Sequence, residues 1–344
     1  MIQITLCEPG RFAQTETAND TTLAPELARV RVHRIGVCGT DWHAFAGRQP
    51  FFSYPRVLGH ELGVEVLEVA PASANPRDIT VGDRCCVEPY LNCGQCIACR
   101  RGKTNCCENI AVLGVHTDGG MREELDVPIN KLHRANGLSF DQLALVETLC
   151  IGAHAAGRAN VEAGETVLVI GAGPIGLAVT QFLSVAGARI LVMDISEQRL
   201  EFCRRVAPIA GTINPTLGDA AAQIRAQNEG ELPTCVMDAT GHAASMQGTF
   251  ELAAHGGRIV FVGLVQAEIS FDDPNFHKRE LTLMGSRNAT ADDFARVIGL
   301  IEAGQIDTTA WITHRLNLSE VATRFAAMQG TAGLVKAMIE VEGE

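Results

Sequence analysis

Thr166-Val167-Leu168-Val169-Ile170-Gly171-Ala172-Gly173-Pro174-Ile175-Gly176 is the stretch whose reading decides the fold. Its first five residues form a continuous apolar run, expected of a strand buried on both faces of a parallel sheet. The Gly-x-Gly-x-x-Gly that follows is weak evidence alone, because glycines recur in loops. Here it joins that strand to a helical run, Leu177 to Val185, and an acidic residue, Asp194, ends the next strand 18 positions after Gly176. That is the full context of a dinucleotide-binding turn. Gly171 permits the tight turn, Gly173 lets the backbone approach a pyrophosphate, and Gly176 lets helix and strand pack closely. The helix N-terminus then meets the phosphates. A carboxylate at Asp194 accepts hydrogen bonds from ribose hydroxyls and repels a 2′-phosphate. Ile195-Ser196-Glu197 supply no arginine to hold one, so the expected cofactor is NAD rather than NADP.

Working outward, further strands are expected at Arg189–Asp194, Thr234–Asp238, Arg258–Gly263 and Leu281–Gly285. Helical stretches separate several of them, such as Ser196 to Val206, with Ser196 as a cap. This alternation predicts an α/β fold with a doubly wound parallel sheet. Towards the N-terminus the texture differs. Val30–Ile35 and Gly63–Val69 alternate apolar with polar residues between glycines and prolines, which predicts an irregular, mostly antiparallel β domain. Beyond residue 290, helices are expected at Ala291–Ala303 and Glu320–Met328, then a last strand at Leu334–Val341. The expected organisation is a β domain over 1–146, a nucleotide-binding domain over 147–289, and a segment over 290–344 returning to the first domain.

At 344 residues the chain exceeds the usual limit of a single core, which agrees with two domains. Apolar residues are 47% and charged ones 20%, ordinary for a globular protein. A net charge of −12 disfavours a general nucleic-acid surface without excluding an anionic substrate, because a site is local. Met1–Thr5 reads as a strand rather than a signal segment, and no apolar run approaches the roughly 20 residues that cross a bilayer. The expectation is a cytoplasmic protein without a membrane or nucleic-acid partner.

Twelve cysteines are better explained there by metal ligation than by disulfides. Cys7, Cys150, Cys203 and Cys235 stand singly among apolar neighbours and read as small buried hydrophobes. Cys93-Gly-Gln-Cys96-Ile-Ala-Cys99 is followed by Cys107, in a lobe at about residues 88–108. Four thiolates so spaced close a tetrahedral zinc shell with no position for substrate, which makes the site structural. Cys106 competes with Cys107 for the fourth place. Elsewhere Gly36-Val37-Cys38-Gly39-Thr40-Asp41 is followed, 22 residues after Cys38, by His60 in Gly59-His60-Glu61. A thiolate and an imidazole with a carboxylate at hand suit a catalytic zinc. A Lewis acid beside a hydride acceptor points to alcohol oxidation.

Taken together, Gly36–Asp41, Gly59–Glu61, Val81–Arg84, the four-cysteine lobe, Gly171–Gly176 and Asp194 resemble the medium-chain, zinc-dependent alcohol and polyol dehydrogenases over essentially the whole chain. The resemblance implies a GroES-like catalytic domain, a Rossmann domain, NAD, two zinc ions per chain and a dimer or tetramer. Gln49–Glu61, Gly102–Glu108, Gly114–His116, Phe276–Lys278 and Gly285–Thr290 are similar to the sugar-acid branch, the bacterial L-galactonate and L-gulonate 5-dehydrogenases. It implies oxidation of a secondary alcohol on a sugar acid, with a neutral polyol or L-threonine as rival substrates. Zinc-free relatives that act as scaffolds are a further alternative.

The resemblance also assigns roles. Cys38 and His60 ligate the catalytic zinc, and Glu61 or Glu147 completes the shell. Leu145-Val146-Glu147-Thr148-Leu149 carries threonine where relatives have proline. Thr40 is the hydroxyl relay and His43 the outer proton shuttle. Pro174, Ile175, Arg199, Thr240, Val262, Gly263, Arg287 and Asn288 join Gly171, Gly173, Gly176 and Asp194 on the cofactor side. Arg287, Asn288, Lys278 and His116 are candidates for the substrate carboxylate, whereas the spacing of Arg48 commits it to nothing.

Overall fold

The structure is a computed structural model and describes residues 1–16, 22–50, 52–71 and 74–341; Phe51, inside one of the resembling stretches, lies outside them. The chain divides into two compact units, residues 1–147 with 290–344 and residues 148–289. The division falls within a single helix, Phe140–Ala159, one residue beyond the expected boundary. Glu147 sits with the first unit, and the Tyr90 hydroxyl of that unit donates to its carboxylate.

The second unit is built on a six-stranded parallel sheet in the order Gly211–Ile213, Arg189–Met193, Thr166–Ile170, Cys235–Asp238, Arg258–Phe261, Thr282–Gly285. The Thr166–Ile170 strand is central and its four apolar residues are buried, as a run without polar alternation requires. The helix after it starts at Pro174, three residues earlier than its periodicity suggested. Proline is tolerated there because its missing N–H is one that a helix leaves unpaired anyway. Ser196 caps the helix Glu197–Val206 by accepting the Arg199 N–H.

The first unit holds a seven-stranded sheet whose main path runs Ile312–Asn317, Lys336–Glu340, Leu27–Val37, Glu61–Val69, Arg84–Val87, Leu132–Arg134, with Glu124–Pro128 also paired to Leu27–Val37. The alternating residues of Leu27–Val37 supply Val30, Val32 and Ile35 to one core, which Leu62, Val64, Val66, Leu316, Phe325 and Ile339 share. Segment 290–341 therefore returns to the β unit and contributes two of its strands. The last strand is shorter than expected, Lys336–Glu340, because Leu334 N–H turns back to Thr331 O and Val335 N–H goes to Thr313 Oγ1. The helix expected from Glu320 begins at Val321, after a 3₁₀ turn over Leu318–Glu320.

Cys150, Cys203 and Cys235 are buried hydrophobes, but Cys7 is only half-buried, on the first strand. No helix among the described residues is long and apolar enough to cross a membrane.

Candidate active site

In the first unit, Cys38, His60 and Glu61 offer ligand atoms that all lie within 4.8 Å of one another. Three local features bring them together. Cys38 ends the strand Leu27–Val37 and caps the helix Gly39–Phe45, its Sγ accepting the Thr40 N–H at 3.4 Å. Asp41 completes the capping box by accepting the Cys38 N–H at 2.8 Å. Glu61 opens the neighbouring strand and pairs in register with Gly36, so Cys38 and His60–Glu61 meet where the two strands end.

Asp41 does a second thing. It is fully buried, and its Oδ1 faces His60 Nδ1 at 3.8 Å with neither atom hydrogen-bonded. A carboxylate behind Nδ1 orients an imidazole so that Nε2 is left for a metal. Burial disfavours an imidazolium at His60, yet Asp41, Cys38 and Glu147 together push its pKa well above 6.5. The acidic groups around His60 thus favour positive charge at its ring. Orphaned buried Asp41 Oδ1 and His60 Nδ1, with a cysteine sulfur, a histidine ring and a glutamate carboxyl converging, fit zinc.

Glu61 is pinned by a residue that sequence spacing could not reveal. Lys336 Nζ donates to Glu61 Oε1 at 2.5 Å, and both side chains are buried. Glu147 is also buried near the cluster, and burial raises its pKa, but its carboxylate is engaged by the Tyr90 hydroxyl. Of the two carboxylates left open by the sequence, Glu61 is the one that converges with Cys38 and His60. Thr40 is half-buried in the first turn of the helix, while His43 is exposed on its last turn and Arg48 is exposed beyond it. His116 Nδ1 accepts the Val112 N–H at 3.1 Å, a turn-forming role.

Cys93, Cys96, Cys99 and Cys107 form a second converging cluster, and Cys106 is not part of it. Hydrogen bonds from the Gln95 and Cys96 backbone lower the Cys93 pKa to about 6, and backbone bonds lower Cys96 also, whereas desolvation and the neighbouring Cys96 and Cys107 side chains push Cys99 up to about 11. Asn92 Nδ2 donates to Cys99 Sγ at 3.7 Å, and its Oδ1 accepts from the buried Lys131 Nζ at 3.0 Å.

In the second unit, Gly171 has φ +97°, and a Cβ on Gly176 would lie 1.7 Å from Gly171 O, so both positions demand glycine. Gly173 caps the helix that Pro174 and Ile175 begin, and its face is open apart from Arg199 Nη1, 4.0 Å from where a Cβ would sit. Asp194 Oδ2 accepts the Ala172 N–H at 2.7 Å, and Oδ1 accepts the Ser196 N–H at 2.8 Å, which locks the carboxylate beside the turn. The cradle fits a dinucleotide pyrophosphate with a ribose acceptor behind it. Thr240 follows the strand Cys235–Asp238 and donates N–H and hydroxyl to Asp238 Oδ1. Val262 and Gly263 donate their N–H groups to Asp238 O. Lys278 is exposed at a helix end; Arg287 is exposed, and Asn288 has φ +50° with Nδ2 buried and unbonded.

A zinc cluster in a GroES-like β unit and a dinucleotide turn in a parallel-sheet unit define the class: this chain belongs to the medium-chain, zinc-type alcohol dehydrogenases. Residues 24–137 match the alcohol dehydrogenase GroES-like domain, and residues 174–303 match the zinc-binding dehydrogenase domain. Among individual relatives, the chain is 45% identical over 300 residues to L-galactonate-5-dehydrogenase of Escherichia coli (strain K12), covering 87% of this chain and 86% of that one. It is 32% identical to 2-dehydro-3-deoxy-L-galactonate 5-dehydrogenase of Pseudoalteromonas atlantica, over 94% of both chains. A crystal structure of the alcohol dehydrogenase rspB from E. coli CFT073, in complex with NADH, superposes with a TM-score of 0.90 at 30% identity, covering 99% of each chain. The protein is an oxidoreductase of the polyol and sugar-acid dehydrogenase type.

Proposed function

We propose that this protein oxidises a secondary alcohol of a sugar acid to the ketone with NAD as hydride acceptor, at C5 of L-galactonate or L-gulonate. The observation that carries the reading is 45% identity to an L-galactonate 5-dehydrogenase in a chain that brings Cys38, His60 and Glu61 together. Zinc held by these residues would lower the pKa of a bound hydroxyl and so favour loss of its proton near neutral pH. Asp41 stands behind the His60 ring, and Glu147, kept in place by Tyr90, is a second carboxylate in reserve. Thr40 takes the alcohol proton through its hydroxyl, and His43 passes it to solvent from the exposed end of the same helix. The Gly171–Gly176 turn binds the pyrophosphate and Asp194 the ribose, flanked by Arg199, Thr240, Val262 and Gly263. Arg287 and Asn288, with Lys278 and His116, are the groups assigned to the substrate carboxylate. The cysteine lobe carries a structural zinc. The exposed edge strand Thr282–Gly285 supports a homo-oligomer formed along that edge.

Steady-state kinetics with NAD and a panel of aldonates, neutral polyols and L-threonine tests the substrate. An aldonate should have the highest kcat/KM; sorbitol or threonine ahead of every aldonate would overturn the sugar-acid reading. Metal analysis is independent of substrate, and about two zinc ions per chain are expected. One zinc would leave only the lobe loaded and favour the scaffold reading.

A further inference from the structure

The strands Arg84–Val87 and Leu132–Arg134 pair in a register that sets Cys86 opposite His133 and Val87 opposite Leu132. One step further, the Glu88 N–H goes to Lys131 O, so Glu88 and Lys131 stand opposite each other. Alternation then puts Glu88, Lys131 and His133 on one face, where all three are buried. The Glu88 carboxylate accepts from Lys131 Nζ at Oε1 and meets His133 Nε2 at 3.0 Å through Oε2, with Arg77 Nη2 3.9 Å away. Two cations therefore face one carboxylate, and Glu88 would keep partners without Lys131.

The ammonium has a second contact, and it points to the cysteine lobe. Lys131 Nζ donates to Asn92 Oδ1 at 3.0 Å, and Asn92 Nδ2 donates to Cys99 Sγ at 3.7 Å. A lysine has three donors and no acceptor, so it turns the amide oxygen towards itself and leaves the NH2 group for the sulfur. Other sulfurs of the cluster receive backbone donors: the Cys96 N–H goes to Cys93 Sγ at 3.4 Å, and the Cys93 N–H to Cys107 Sγ at 3.3 Å. Cys99 is held by a side chain that a buried charge orients from the sheet. We propose that Asn92 is a positioning residue for the lobe metal: Lys131 fixes its amide so that the N–H group keeps the Cys99 sulfur in the shell. Four thiolates overcompensate a divalent ion, and a donor backed by a buried cation offsets part of that excess. The inference deepens the proposed function and rests on the lobe holding zinc.

Zinc transfer from the fully loaded protein to a colorimetric chelator should show one phase for each cluster. C93S/C96S should remove the lobe phase; if two phases survive, the lobe zinc reading fails and the inference with it. N92D keeps an oxygen for Lys131 but sets a carboxylate oxygen, in place of the donor, beside Cys99. A residue that merely tied the lobe to the sheet would tolerate that change. N92D is expected instead to speed the lobe phase about tenfold, the low end of the effect of groups that orient metal ligands, and to leave the Cys38 phase alone. Lobe release at the parental rate overturns the proposal, as does equal acceleration of both phases. N92A, run alongside in case N92D fails to fold, should also speed the lobe phase, and a parental rate there has the same overturning force. K131Q offers the amide an acceptor as well as a donor, which frees Asn92 to flip, so its lobe phase should be faster than the parent's. In N92A/K131Q the lobe phase should match that of N92A. Additive acceleration would show that Lys131 does not act through Asn92 and would overturn the inference.

Discussion

Gly36 shows how much can depend on an absent side chain. A methyl group there overlaps the Glu61 carboxylate, so Gly36→Ala must displace Glu61 and break its contact with Lys336. Overpacking of this kind costs about 1–3 kcal/mol, and separating a buried ion pair adds to it. For a protein of this size each kcal/mol lowers Tm by roughly 2–4 °C. G36A should therefore melt several degrees below the parent and lose zinc from the Cys38 cluster while the lobe keeps its own; a parental melting curve with full zinc content would contradict this. At this scale the sequence is legible where chemistry is local. Cys38, His60 and Glu61 are readable because fixed spacings and glycine neighbours mark them. Asp41 could have been read as well, standing three residues after Cys38 in a capping pattern. Lys336 could not, since 275 residues separate it from Glu61 and only strand pairing joins them. The hydrogen bond from Tyr90 to Glu147 is hidden for the same reason, although Glu147 itself was a candidate.

Among elements, the strand-turn-helix from Thr166 to Val185 was almost wholly legible, because glycine demands there are backbone demands that sequence states directly. The structure adds that Asp194 is tied to the turn through the Ala172 N–H. Ile195, next to it, is 73% exposed, so an arginine can replace it without disturbing a core. Asp194→Gly with Ile195→Arg removes charged hydrogen bonds worth about 1.5–3 kcal/mol to the NAD ribose, roughly ten- to 150-fold. It also offers a cation to a 2′-phosphate. The ratio of kcat/KM for NAD over NADP should fall by at least that factor, and an unchanged ratio would dismiss Asp194 as the selector. The cysteine lobe is a different kind of element. Its Ile97 is 57% exposed, and the helix Ile97–Arg100 has no buried residue, so packing contributes little to its order. Metal must supply what packing lacks. Treatment with a strong chelator should make the Arg100-Arg101 and Lys103 bonds susceptible to trypsin while bonds in the sheets stay protected. Equal resistance with and without chelator would mean that the lobe holds itself together.

Across the whole molecule, charge placement sets the response to acid. Burial tends to raise Glu88, but hydrogen bonds from His133 and Lys131 outweigh it and hold its pKa below 4.5. Asp141, between Arg34 and Arg315, is likewise held below 3.8 against its burial. Carboxylates depressed in this way contribute stability that is complete above their unfolded values and lost as pH falls through the folded ones. Burial lowers His33 and His133 below 6.5, so the folded protein keeps them neutral where the unfolded chain binds protons. Stability should therefore begin to fall once pH drops beneath about 6.5 and fall again below about 4.5. Urea midpoints measured from pH 8 to pH 4 check this. A midpoint flat across pH 6.5 to 5 would show that the histidines do not contribute.

The two-unit plan was legible from the change of texture near residue 150, and the return of the final segment was expected from resemblance rather than from periodicity. That return has a consequence for synthesis. A ribosome delivers Cys38, His60 and Glu61 early, then the contiguous second unit, and only after it the strand Lys336–Glu340 that pairs with Leu27–Val37. Until that strand arrives, Glu61 lacks its ammonium partner and the edge of Leu27–Val37 is unpaired. The second unit can fold while still tethered, but the sheet of the first closes only once residues 336–340 have been made, and until then it exposes an open strand edge.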